Sequence, residues 1–338
     1  MYSNLLQPDR RQTLVSGLAL SLGVLCSPWL RAQATAPVDE LWQDPRRQRE
    51  VPVRIRWPPD TWPTPSGGWP VVLFSHGLGG TRAGGEVWGR AWAAAGLVVL
   101  HLQHPGSDLD AARKVASSFS DRAALRGMSS AQQLLARLQD VVFVLDEVAR
   151  RHTGNTGNTR WSTVRPEHVG LSGHSFGAHT TLGAGGQSYP GFTGIREPRI
   201  AALIAFSPTL PAAGDAQKAF AGIVWPTLCV TGTRDGDVVG NGATPDKRAG
   251  VFAALPAGNK AQLVLRDADH MSFGGQTGRA AGILPREAVT QQLQTQHHAL
   301  VASITTDWWR AYLTGDAAAK VRLVQPQGLA AQDTWQTG

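Results

Sequence analysis

One serine, one histidine and a pair of aspartates stand in an order that could carry nucleophilic acyl transfer. Gly173-His174-Ser175-Phe176-Gly177 is the single G-x-S-x-G in the chain. In a sequence with 38 glycines the pentapeptide alone is weak, and its flanks give it meaning. Val169-Gly170-Leu171 reads as a strand and Ala178 to Ala184 as the small-residue start of a helix. Ser175 therefore falls on a strand-turn-helix elbow, which lifts a hydroxyl out at the carboxyl end of a sheet. A serine hydroxyl is a poor nucleophile until a base lies within hydrogen-bond reach. Of the ten histidines, His270 is the candidate base, because it lies in the polar loop Asp267 to Phe273 after the last strand-like run, Gln262 to Leu265. His174 and His179 flank the elbow and read as packing or hydrogen-bonding neighbours, and His297 and His298 as a solvated helix face.

The base must be held in one tautomer by a buried carboxylate. Thr231-Gly232-Thr233-Arg234-Asp235-Gly236-Asp237 follows the strand-like run Thr227 to Val230 and offers two. Asp235 is preferred because it comes directly after the Gly232 turn, whereas Gly236 lets the chain leave and carries Asp237 toward solvent. Asp267 and Asp269 are too near His270 in sequence and read as loop-stabilising. The developing oxyanion needs donors. Ser75-His76-Gly77-Leu78-Gly79-Gly80 follows the run Val71 to Phe74, so the backbone N–H groups of Leu78 and Phe176 are the candidate donors, with their side chains as pocket walls. His76 reads as a structural hydrogen bond inside that loop. No metal site and no cofactor are expected.

Those groups require a sheet whose strands end side by side. Val71 to Ser75, Leu97 to Leu102, His168 to Leu171, Ile200 to Phe206, Thr227 to Thr231 and Gln262 to Leu265 are short apolar runs separated by stretches of helical spacing, the pattern of buried parallel strands alternating with helices. Residues 51 to 57 alternate as an antiparallel strand would, and Pro58 to Pro70 is a surface connection. Leu134, Leu135, Leu138, Val141, Val142, Leu145 and Val148 mark an amphipathic helix, and Val87 to Ala95 and Ala288 to Leu313 two more. Trp88 and Trp92 share a helix face and read as core. The loop His104 to Ser118 forms either part of the substrate pocket or a helix start capped by Ser107 or Asp108.

With 338 residues, 42% hydrophobic and 17% charged, the chain can bury a large core, and no linker divides residues 40 to 320. The expectation is a signal peptide at 1–34 followed by a single domain at 35–338. Arg10-Arg11, the apolar run Leu14 to Trp29 and Ala32-Gln33-Ala34 fit an export signal, with a partial twin-arginine match. Export implies a periplasmic or extracellular protein with no stable membrane insertion after cleavage. Losing three Arg and one Asp takes the net charge from +7 to +5. The remaining cations are scattered, which argues against a nucleic-acid groove. Cys229 is then left alone, so no intrachain disulfide is available.

Together FSHGLGG, LHLQHPGSD, GLSGHSFGAHT, TGTRDGD and ADHMSFGG resemble the dienelactone-hydrolase-like proteins related to platelet-activating-factor acetylhydrolases and to bacterial polyester hydrolases. The resemblance spans roughly residues 45 to 315. It implies an α/β-hydrolase fold, a mostly parallel eight-stranded sheet with helices on both faces, no cofactor, and hydrolysis of short or accessible acyl esters. Ser175 replaces the cysteine of dienelactone hydrolases proper. The acetylhydrolases take their acid after the strand following the nucleophile, but Ile200 to Phe206 leads here into Ser207-Pro208-Thr209, so the acid comes from the next strand. Leu78 and His174 depart from the aromatic and Trp that polyester hydrolases often carry. The expected partner is a small-molecule or polymeric ester, with oligomeric state left open. Rival expectations are a lipase-like or polyester-degrading hydrolase and a catalytically silent binding protein.

Overall fold

A computed structural model describes residues 35–116, 121–154, 157–278 and 284–338. The expected signal segment lies outside the described residues. Among them nine strands form one sheet: β1 (Val38–Asp44), β2 (Arg49–Arg56), β3 (Trp69–Ser75), β4 (Val98–Leu102), β5 (Val164–His174), β6 (Ile200–Phe206), β7 (Thr227–Arg234), β8 (Lys260–Asp269) and β9 (Thr334–Thr337). Their order is β1-β2-β4-β3-β5-β6-β7-β8-β9. The strands from β4 through β8 are parallel, while β1, β2 and β9 join antiparallel. This is the mixed, mostly parallel sheet of an α/β-hydrolase.

The expected eight strands become nine. β9 is four residues of mostly polar sequence, too short to show a period, and it closes the β8 edge through the register Ala261↔Thr337 to Val264↔Thr334. Trp335 anchors it by donating Nε1–H to the Leu323 carbonyl at 3.0 Å.

The helices are α1 (Glu86–Ala94), α2 (Leu109–Val115), α3 (Arg122–Gly127), α4 (Ala131–Thr153), α5 (Phe176–Ala184), α6 (Ala216–Phe220), α7 (Pro245–Ala254), α8 (Ala288–Leu313) and α9 (Ala317–Val324). Side chains on a strand alternate between faces, and each face of the central strands finds its own layer. Val71 and Leu73 pack with Leu138, Val141 and Leu145 of α4 and with Leu182 of α5. Val72 and Phe74 pack on the other face with Trp88 and Trp92 of α1 and with Trp308 and Trp309 of α8. Trp88 and Trp92 are thus core, as expected. Cys229 is buried in β7. No helix among the described residues is long and apolar enough to cross a membrane.

Two readings of helix faces need correction. His297 and His298 are buried, because α8 is covered by α1, β8 and α9 and not by the sheet alone. The His298 ring stands edge-on to Trp88, with centroids 5.1 Å apart, and its Nε2 bonds the Ser272 carbonyl at 3.1 Å. On α4, Leu135 is exposed, whereas Arg137 and Asp140 lie wholly buried within the apolar stripe. The HPGSD loop begins a helix: Asp108 caps α2 by accepting from Ala111 N at 3.1 Å.

Sheet growth diverges at β3, whose neighbours are β4 and β5. Outside the carboxyl ends of strands at such a switch point a crevice is left open, which is where ligands bind in open α/β sheets. Here those ends carry the 76–80 loop and Ser175.

Candidate active site

Ser175 sits between β5 and α5 with φ 58° and ψ −114°, a conformation that L-residues rarely adopt. Two close approaches impose it. A Cβ at Gly173 would collide with the Gly177 carbonyl, and one at Gly177 with the Ser75 carbonyl at the end of β3. Glycine at both positions therefore lets the elbow fold tightly and press against the 76–80 loop. The strained turn is held by Ser175 N donating to Phe206 O at 2.9 Å.

His270 opens the short 3₁₀ turn His270–Gly274 after β8. That turn has its own capping box, in which Asp269 accepts from Ser272 N at 2.9 Å and Ser272 Oγ accepts from Asp269 N at 3.2 Å. Asp267 pairs with Arg234 at 2.7 Å, so both flanking aspartates stabilise the loop. His270 Nδ1 lies 2.8 Å from Asp235 Oδ1. The other Asp235 oxygen accepts from Thr231 Oγ1 at 2.8 Å, which leaves this fully buried carboxylate oriented at both ends. Asp237 makes no hydrogen bond or ion pair with His270 and is partly exposed. It is half-buried and accepts from Val239 N, Gly240 N and Gly242 N at 2.9, 2.7 and 2.7 Å, folding its own loop.

Arg248, on α7, is the unanticipated member of the site. Its Nε lies 2.8 Å from Asp235 Oδ1 and 2.9 Å from the Asp235 carbonyl, and its Nη1 donates to Ser207 O at 2.7 Å. Nothing in the sequence distinguishes it from other arginines on helix surfaces. Burial disfavours charge on Asp235, but the His270 imidazole and the Arg248 guanidinium outweigh it, and the carboxyl stays below its ordinary range. For His270, burial and then the Arg248 charge push the imidazole below its ordinary value, against the pull of Asp235. The site thus holds an ionised acid beside a neutral base.

His174 is a neighbour in the expected sense. Its Nε2 lies 2.9 Å from the His270 carbonyl, and burial together with the His270 ring lowers its own titration to about 3. His76 makes the expected contact within its loop, Nδ1 to Gly77 O at 2.6 Å, and its Nε2 accepts from His104 N at 3.0 Å. Leu78 N and Phe176 N donate to no protein acceptor among the described residues. Leu78 and Ser175 line the same two cavities, and both cavities reach His270. The larger, about 410 Å³, has apolar walls that include Leu134, Phe176, Tyr189 and Phe192. Among the described residues the smaller, about 110 Å³, has no Asp, Glu, Lys or Arg on its wall. Ser175 Oγ makes no hydrogen bond to His270 here; such contacts are commonly loose in free enzymes and tighten when substrate is bound.

A second Ser-His-Asp constellation lies at the end of β3. Ser75 Oγ is 2.9 Å from His104 Nε2, and His104 Nδ1 is 2.9 Å from Asp140 Oδ2. All three side chains are fully buried, and Asp140 is further paired with Arg47 and Arg49 at 2.8 and 2.7 Å. Without access to a substrate this group can only brace the end of β3.

The family model described as platelet-activating factor acetylhydrolase, isoform II, matches residues 54–128. It covers the end of β2, β3, the 76–80 loop, α1, β4, α2 and α3, and ends before the elbow. The match supports the acetylhydrolase-like group of α/β-hydrolases, and with it a lipase- or esterase-type hydrolase acting on esters. It does not extend to the bacterial polyester hydrolases. No curated protein matches the chain.

Proposed function

We propose that the chain is a serine esterase that cleaves carboxylic esters through an acyl-enzyme. The observation that carries this reading is the 2.8 Å contact between the buried Asp235 and His270, which reaches the cavities that the elbow serine lines together with Leu78. Ser175 Oγ adds to the ester carbonyl carbon as His270 Nε2 takes its proton. The oxyanion accepts hydrogen bonds from Leu78 N and Phe176 N at the start of α5, where the helix dipole also favours negative charge. Collapse breaks the bond to the alkoxy oxygen, and the leaving alcohol takes the proton from His270. Water then repeats the sequence on the acyl-enzyme. Asp235 holds the imidazole in one tautomer and stabilises the imidazolium while it exists.

The apolar walls of the larger cavity, Leu134, Phe176, Tyr189 and Phe192, suit an apolar group on the ester. A panel of p-nitrophenyl esters from acetate to palmitate, with a polyester film, locates the chain between short-chain esterase and lipase-like or polyester-degrading hydrolase. Ser175→Ala should lower kcat by about 10³ or more on whichever ester is turned over. A wild-type chain inert toward the whole panel would favour the silent binding fold. On sequence grounds we also read residues 1–34 as an export signal, so that the mature protein begins at or near Thr35. Retention of Met1 on protein from its native host would refute that.

A further inference from the structure

We infer that Arg137 is the positioning residue of the oxyanion site, because one buried guanidinium reaches both the Gly77 carbonyl, which shares its peptide with the Leu78 amide, and the ring of Phe176. This rests on the esterase reading above. Arg137 lies on α4, fully buried, in the stripe otherwise formed by Leu134, Leu138 and Val141. Burial lowers its pKa to about 9, which still leaves it cationic at neutral pH. The carboxylates nearest to it, Asp140 and Asp108, act on it only through their field and not by hydrogen bonds. A desolvated cation with no carboxylate in contact is a costly thing for a core to hold.

Its donors go to the loop instead. Nη1 donates to His76 O at 2.6 Å, Nε to Ser107 Oγ at 2.8 Å, and Nη2 to Ser107 O at 3.3 Å and Gly77 O at 3.5 Å. The last of these fixes a direction. In a trans peptide the C=O and the following N–H point to opposite sides, so the Gly77 carbonyl and the Leu78 N–H are set together. Gly77 O is held on one side by Arg137, by His76 Nδ1 at 2.6 Å and by Gly80 N at 3.1 Å. Leu78 N–H is thereby turned the other way, away from Arg137. The second donor belongs to Phe176, and the guanidinium carbon of Arg137 lies 4.4 Å from the centroid of the Phe176 ring. Loop and helix start are referenced to one planar group, which fixes the separation of the two amides. Lysine could supply the charge but not several contacts in one plane.

The test uses p-nitrophenyl acetate and its thionoester, in which sulfur replaces the carbonyl oxygen and accepts hydrogen bonds poorly. Arg137→Met should lower kcat on the oxygen ester by about 10² with KM changed less than about threefold, and Arg137→Lys should fall between it and wild type. The thionoester rate should fall much less, so the ratio of oxygen-ester to thionoester turnover should drop by about tenfold or more. Unchanged kcat in Arg137→Met, or equal losses on the two substrates, would overturn the role. Should Arg137→Met not fold, Ser107→Ala removes one of its anchors alone, and a turnover ratio left at the wild-type value there overturns it equally. Wild type that turns over the oxygen ester, with activity lost in Ser175→Ala, keeps a negative result for Arg137 separate from a failure of the esterase reading. A wild-type chain inert toward the ester removes both.

Discussion

Arg248 Nε and His270 Nδ1 both lie 2.8 Å from the same oxygen of Asp235. The carboxylate is therefore shared between a permanent cation and an imidazole that, in the proposed mechanism, becomes cationic during turnover. The permanent charge works against that second step, which is one reason why His270 sits below its ordinary range.

The pH profile follows from this sign. The base acts when deprotonated, so a lowered pKa keeps it active further into acid, and the acid limb of kcat/KM should fall below about 6.5, the ordinary imidazole value. Arg248→Met removes the opposing charge and frees Asp235 to pair with His270 alone. Both effects raise the imidazole pKa, so the limb should move to higher pH. A limb that stays in place or moves toward acid contradicts the assignment.

The two aspartates of the acid loop should separate cleanly. Asp235→Asn keeps the shape but favours the wrong imidazole tautomer, which by the serine-protease precedent costs about 10⁴ in kcat. Asp237→Asn weakens only the acceptor of three loop amides and should cost far less. Steady-state kinetics of the two variants, with folding checked by circular dichroism, gives the order. The reverse order would make Asp237 the acid.

The buried constellation should behave as structure. Ser75→Ala leaves His104 Nε2 without its partner and should cost about 1–3 kcal/mol of stability in chemical denaturation, while ester turnover falls only modestly. Total loss of turnover at unchanged stability would mean that Ser75, and not Ser175, does chemistry.

The contrast between these two groups shows what the sequence carried and what it could not. The elbow was legible because Gly173 and Gly177 sit where no Cβ fits, and the placement of Asp235 and His270 because each follows its own strand end. Ser75, His104 and Asp140 reproduce the geometry of a triad without any sequence pattern to announce them, and only burial separates scaffold from site. Arg137 and Asp140 left a weak sign, two charges at positions that complete an apolar stripe on α4. Arg248 left none, because its role depends on where α7 packs. β9 and the covered side of α8 were hidden for the same reason: both are set by contacts with elements far away in sequence.

The most direct measurement of the central claim is labelling with a fluorophosphonate followed by intact mass and peptide mapping. The account predicts one adduct per chain, on the peptide that carries Ser175, absent from Ser175→Ala and greatly slowed in His270→Ala. A folded, ester-hydrolysing protein that takes no label, or takes it on another residue, would contradict it.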